Sequence, residues 1–308
     1  MAKQWIKIGN ISGGDSYIGV LAKSDSLKLE KEVNPIETIN KIAPLDVREG
    51  KLAVEGDIEI ELTGEDGIGE LLYAFFGQVQ TTDNTDGSYQ HDFTLKDSDL
   101  PELTVIKQVG GVQEKYEGMK VRAINITANG NGELTCSVSF IGKTGSLVSG
   151  ETEATYDQAP PLKIVSSTAT WGGTDVKIAN AEINLERDIA DDGFLLNGDS
   201  GRSLLPEGRF SGKVTIDVLA DDDTVINDFI NGTKKEFKIT LVGETVGSGS
   251  NKYTLEITFP NAVIVSREKP TDVANQLLIE DVEIMALDDG TSAVTAKLIN
   301  SIEAYPRT

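Results

Sequence analysis

The residues of this 308-residue chain whose types could do chemistry are one histidine, one cysteine and several knots of aspartate. His91 stands in "SYQHDF", beside a turn. A zinc site would need further histidines or a cysteine cluster. A Ser-His-Asp triad would have to use this one imidazole, and no G-x-S-x-G elbow accompanies it. His91 is therefore read as a structural or exposed residue. Cys136 alternates with apolar neighbours in "LTCSVSF", the pattern of a buried core thiol rather than a nucleophile. As the single cysteine it excludes an intrachain disulfide. Asp221-Asp222-Asp223, Asp83, Asp86 and Asp288-Asp289 lack the spacing of an EF-hand loop. The first three stand where a helix N-terminus wants negative charge, and the others stand in turns. "VGSGSNK" (246–252) is glycine-rich but lacks G-x-x-x-x-G-K-[ST] and lies between two strand patterns, so it reads as a hairpin tip. No catalytic, cofactor or metal site is expected, and the chain reads as a non-enzyme.

Charge and hydropathy narrow the class. Fifty acidic side chains against 28 basic ones give a net charge of −22, the wrong sign for gripping a phosphate backbone. Hydrophobic residues make up 39%, enough to pack cores in one large or two ordinary domains. No apolar run is long enough for a membrane span. The start, "MAKQWIKIGN", lacks the apolar centre of a signal peptide, so a reducing cytoplasm is the expected site of synthesis.

The elements that would position these residues are strands. "LKLEKEV" (27–33) puts Leu27, Leu29 and Val33 on one face and Lys28, Glu30 and Glu32 on the other. Nearly the same line returns as "INLERDI" (183–189), with Leu185 standing 156 residues after Leu29. At that offset "VEGDIEIEL" (54–62) overlies "FSGKVTIDV" (210–218), each a glycine followed by three apolar residues at period two. "ELLYAFFG" (70–77) then matches "VINDFING" (225–232), and "AINITANGNGELTCSVSFIG" (123–142) matches "DVEIMALDDGTSAVTAKLIN" (281–300). Four blocks in one order point to two copies of one fold: residues 1–146 and 162–308, joined by a Ser-, Gly-, Thr- and Pro-containing linker at 147–161. Asp-Gly and Asn-Gly pairs punctuate both copies as turns demand. One short helix per copy is expected, capped by Asp66 and stopped by Gly77 in the first, capped by Asp223 and stopped by Gly232 in the second. The fold class is mainly β, a β-sandwich or small barrel in each half with one short α-helix.

"LTVIKQVGGVQEKYEGMKVRAINITANGNGELTCSVSFIGK" (103–143) resembles the C-terminal half of a tailed-bacteriophage major tail tube domain. The shared features are a strand, a short loop, a Tyr-x-Gly step at Tyr116-Glu117-Gly118, a hairpin and a closing strand. The long segment "NPIETINKIAPLDVREG" (34–50) and the helix after "GDIEIEL" also resemble that fold. The second half departs from it in having no Tyr-x-Gly before its final hairpin. The resemblance implies two tandem tail-tube-type β-sandwich domains whose sheets join a continuous inner barrel around a channel. It further implies rings that stack into a tube, with a tape-measure protein and tail terminator or tip proteins as partners. Single-domain members form hexamers, so a fused pair implies a homotrimeric ring. The expected place is the virion tail, assembled in the host cytoplasm, with no membrane contact.

A conduit for DNA should not hold phosphates, so the polar strand faces at Glu30, Glu32, Glu59, Glu61, Glu186, Asp188 and Asp217 are candidates for the lumen. The long segment 34–50, read as a loop, carries Ile36, Ile39, Ile42, Leu45 and Val47; its counterpart at 190–208 carries Phe194, Leu195 and Leu196. These are candidates for ring stacking, with an edge cover over the chain's own sandwich as the other reading. A tube protein of a phage-like secretion or bacteriocin machine is the nearer alternative. A carbohydrate-binding adhesin is opposed by the missing signal peptide and by Trp5 and Trp171 standing outside any aromatic cluster.

Overall fold

A computed structural model of the chain describes residues 3–9, 11, 16–196, 200–219, 223–247, 249–268 and 279–307. The first half runs β1 (Trp5–Gly9), β2 (Tyr17–Val20), β3 (Ala22–Asp25), β4 (Lys28–Ile36), β5 (Asp46–Ile60), α1 (Ile68–Phe76), β6 (Gly77–Asp83), β7 (Tyr89–Leu95), β8 (Leu103–Val109), β9 (Val112–Asn129), β10 (Leu134–Gly142) and β11 (Thr144–Val148). The second runs β12 (Lys163–Trp171), β13 (Thr174–Asp175), β14 (Ile178–Ile189), β15 (Glu207–Leu219), α2 (Thr224–Asn231), β16 (Lys234–Thr245), β17 (Lys252–Glu268), β18 (Ile279–Ala286) and β19 (Thr295–Asn300). The chain is mainly β, as its alternating sequence requires.

Strand pairing follows one order twice. β1 pairs with β2 and β8, β8 with β9, and β9 with β10 and β11. In the second half β12 pairs with β13 and β16, β16 with β17, and β17 with β18 and β19. β5 joins β3 and β4 to β10, and β15 likewise joins β14 to β18. The hairpin β6–β7 has no counterpart after α2. It is spent on the other half, where β7 pairs with β19 from Thr94↔Thr295 to Tyr89↔Asn300. A second seam is wider: β9 pairs with β14 through seven residues, from Asn129↔Asn180 to Ala123↔Glu186. All pairings named here are antiparallel, and one apolar core cluster runs through both halves.

These registers correct the sequence alignment in two places. Gly56 lies against the backbone of Leu27, whereas Gly212 is paired with Leu185. Leu185 therefore corresponds to Leu27, not to Leu29, a slip of two residues that keeps the same face. The hairpin 123–142 does not match 281–300. β18 takes the place of β10 and β19 that of β11, because the β6–β7 insertion shifts the offset after α1. Leu27 is buried, but Leu29 and Val33 are exposed, so "LKLEKEV" has no buried stripe beyond its first residue.

The helices end as expected and begin otherwise. Gly77 and Gly232 both close their helices in the left-handed region, where a Cβ would be strained. The N-cap of α1 is Gly67 rather than Asp66, however, and neither helix has a side-chain cap bond. Asp66 is used elsewhere: its Oδ1 accepts from the backbone N–H of Asp157 and Gln158, and Oδ2 from the Thr63 hydroxyl. Asp223 holds the position before α2 and contributes its backbone carbonyl, which accepts from Asn227. Asp221 and Asp222 lie outside the described residues.

Candidate functional site

The described groups among those singled out for chemistry sit in the core or in turns. His91 is fully buried, with Nδ1 2.9 Å from the Thr81 hydroxyl and Nε2 2.9 Å from the Ile302 carbonyl. Burial pulls its pKa down and keeps the ring neutral. Cys136 is fully buried between β5 and β9, and burial pushes its thiol up to about 12. The aspartates close turns. Asp83 accepts from Thr85 N–H, Asp86 from Ser88, Asp288 from Gly290, and Asp289 from Thr291 and Ser292. Among the described residues no cluster of side chains could hold a metal ion.

What the fold does present is a face. Across the β9–β14 seam the strands lie in the order β5, β10, β9, β14, β15, β18, and alternation puts one set of side chains in solvent along all six. One row reads Glu59, Ser137, Asn125, Asn184, Lys213. The next reads Thr135, Thr127, Glu182, Thr215, Glu283. Glu186 and Asp217 share this side with them, while Ile58, Val138, Ile124, Leu185 and Val214 point to the core. Asp188 continues the alternation of β14, and Glu61 follows β5. Glu30 lies on the same face of β4, where Lys28 bridges it to the neighbourhood of Glu55. Glu32 stands at a register shift further out and accepts from Asn34.

The face is acidic but not unrelieved. Lys23 pairs with Glu61 at 2.7 Å and Lys213 with Glu283 at 2.7 Å. At its far end the relief runs out. The Asp281 carboxyl is raised from its ordinary value by desolvation and by repulsion from Asp217, Glu268 and Glu283. Asp57, Glu182, Asp281 and Glu283 belong to this face and were missed in the sequence. The period-two signal was present in "DIEI" and "DVEI", but the second was read into the wrong hairpin.

The two long connectors are built differently. Residues 34–50 are not a loop. β4 and β5 continue as a hairpin arm to Ile36↔Asp46, with Ile36 and Val47 inside strands and only 37–45 as the tip. Ile39 and Ile42 are wholly exposed, Leu45 and Val47 more than half. The described parts of the other connector, 190–196 and 200–206, instead fold back on the first half. Arg202, 6% exposed, donates to the carbonyls of Asp191, Val54 and Gly142 at 2.8–3.1 Å. Phe194 is half-buried, with Lys51 and Arg202 of its own chain over its ring. Leu205 packs on Ile141 and Ile189, while Leu195 and Leu196 stay exposed.

A buried polar knot locks the halves together, and no sequence signal marks it. Arg307 donates to Glu70 on α1 at 2.6 Å and to Asp157 at 2.8 Å. Burial pushes Glu70 upward against the pull of Arg307. Burial alone would lower the Arg307 pKa, but Asp157 and Glu70 outweigh it and raise it. Asn300 joins His91, Gly64 and Tyr305 beside this pair.

No curated protein matches the chain. The profile of a family described as phage tail tube protein matches residues 10–286, a span that covers the arm, the acidic face and both connectors. A β-built chain with one continuous polar face, matched over that length, belongs to the phage tail tube protein family.

Proposed function

We propose that the chain is the wall subunit of a tail tube, and that its two halves (1–146 and 162–308, joined by 147–161) are two copies of one wall module. The β9–β14 seam carries this reading. It splices two strand sets of the same pairing order into one sheet, side by side, with one polar face throughout. Membership of the tail tube family implies self-assembly into a tube and a place in the virion tail.

If each module fills one of six places, three chains close a ring with pseudo-sixfold symmetry, and closure removes the exposed sheet edges. The acidic face then lines the channel. DNA passing over Glu59, Glu182, Glu186 and Asp217 meets charge of its own sign and few cations to hold it, so it can be ejected into the host without sticking. The arm of β4 and β5, with Ile39 and Ile42 at its tip, reaches the next ring in the stack and buries there. A tape-measure protein inside the tube and terminator or tip proteins at its ends complete the assembly. Negative-stain imaging of concentrated protein tests this: rings or tubes with a central channel are expected, and dispersed monomers at every concentration would refute it.

A further inference from the structure

The pairing of β9 with β14 joins the two strand sets inside one chain, and the chain carries the two sides of that seam a second time, without a strand partner among the described residues. β14 corresponds to the β3–β4 run, since both pair with the strand that leads into the helix. β9 corresponds to β17, since both pair with the strand that joins this one on its other side. β14 takes β9 as its second neighbour, but β3 and β4 have none but β5 among the described residues. The C-terminal end of β9 is likewise held on both sides, by β10 and β14. Among the described residues β17 beyond Val263 has β18 as its one strand partner, because its other neighbour β16 begins at Lys234, opposite Val263.

Val265, at the register shift between Ile264 and Ser266 in β17, is 39% exposed. At the other open edge the Leu27 carbonyl is taken by Lys107 Nζ, a side chain tending a strand edge that lacks a partner.

Resting on the reading of the chain as a tube subunit, we propose that residues 22–28 of one copy add antiparallel to residues 263–268 of the next, in the register that β14 and β9 already use. That register is fixed. Asn184 pairs with Asn125 and with Lys213, whose counterpart Asp57 accepts from Ser26 N–H, so Ser26 takes the place of Asn184. Asn125 pairs with Ser137 as Ser266 pairs with Glu283, so Ser266 takes the place of Asn125. Ser26 of one copy therefore faces Ser266 of the next. By the same steps Ser24 faces Glu268, which brings Lys23 beside Glu268 and the crowded Asp281. The occupant is a second copy because this edge matches both the register and the charge of the surface it meets. Ser26 already turns its backbone toward Asp57, so the new pair is of the non-hydrogen-bonded kind, in which Cα atoms stand about 4.5 Å apart. That spacing suits a disulfide.

The double variant Ser26→Cys, Ser266→Cys is assembled and treated with diamide, which takes up the two electrons and two protons of the thiol pair. Covalent links between copies are expected on a non-reducing gel, and none from either single variant, since Cys136 is fully buried. A second measurement needs no variant: hydrogen exchange at 22–28 and 263–268 should slow at least tenfold in wild-type tubes relative to free chains. Tubes that form without cross-links and without added protection overturn the seam while leaving the tube reading intact. A wild-type chain that never assembles overturns the tube reading and the seam with it.

Discussion

The connectors 37–45 and 190–206 sit at the same place in the strand order and meet opposite fates. In the second half the chain turns back at Gly193, where any side chain would collide with the Leu204 backbone, and docks on the first half. Ser200 accepts from Leu52 N–H, Arg202 N–H donates to Lys143, and Arg202 threads its guanidinium between Val54 and Gly142. In the first half the same connector rides outward on a two-stranded arm with Ile39 and Ile42 bare. The second connector has a neighbouring half to bury against; the first has none in its own chain. The helices repeat the contrast. α1 is buried almost all round beneath β6, β7 and Tyr305, whereas α2 leaves Phe229 and Ile230 in solvent. The difference is one of what each segment has to bury against within the chain; on the tube reading proposed above, the bare surfaces are where another copy would sit.

The comparison breaks most visibly at Arg202. Arg202→Ala removes three buried bonds to carbonyls and the cation over Phe194, and should cost about 3 kcal/mol by chemical denaturation. It should also make the 190–206 segment cleavable by protease. A loss below about 1 kcal/mol would mean that the docking is incidental.

Next comes Glu207, which anchors the return of the same connector by accepting from Asp99 N–H, Leu100 N–H and the Lys120 ammonium. Burial would raise its pKa, but Lys120 and the two backbone donors outweigh it and hold it below the ordinary carboxylate value. A depressed folded pKa stabilises in full above the ordinary value near 4.5 and is lost as pH falls through the depressed one. Glu207→Gln should therefore cost about 2 kcal/mol at pH 7 and flatten the acid limb of the stability profile. An acid limb identical to wild type would remove Glu207 from the clamp.

The arm should behave in the opposite way. Replacing 36–46 with a short Gly-Ser bridge should change stability by no more than about 0.5 kcal/mol, because the removed side chains are in solvent. Stacking into tubes should nonetheless be lost. Full-length tubes from the deletion would place ring stacking elsewhere, and an unfolded product would make the arm part of the fold. The smallest stability effect is expected on the polar face. Glu59→Lys with Glu61→Lys should fold as wild type, and the resulting tubes should retain DNA in a salt-dependent manner. Unchanged DNA behaviour in well-formed tubes would move that face out of the lumen.

Local signals in the sequence were read well where burial enforces them. Alternation marked β5, β10, β14 and β15, and Gly77 and Gly232 marked the helix ends. The arm was misread because its strands bury nothing and so carry no stripe; Pro35, tolerated on an edge strand whose outer N–H has no partner, made it look more like a loop. The recurring pattern was visible, but the inserted β6–β7 hairpin shifted its offset after α1, so its last block was paired with the wrong strand. The polar knot was illegible for a different reason. Arg307 and Glu70 are 237 residues apart, and nothing local says that they meet.

The central claim is that two modules of one chain occupy neighbouring places in a six-place wall. Native mass measurement of isolated rings tests it most directly. Three chains per ring, each of 33.1 kDa, with six-fold-like features on image averaging, is the expected result. Six chains per ring would contradict it.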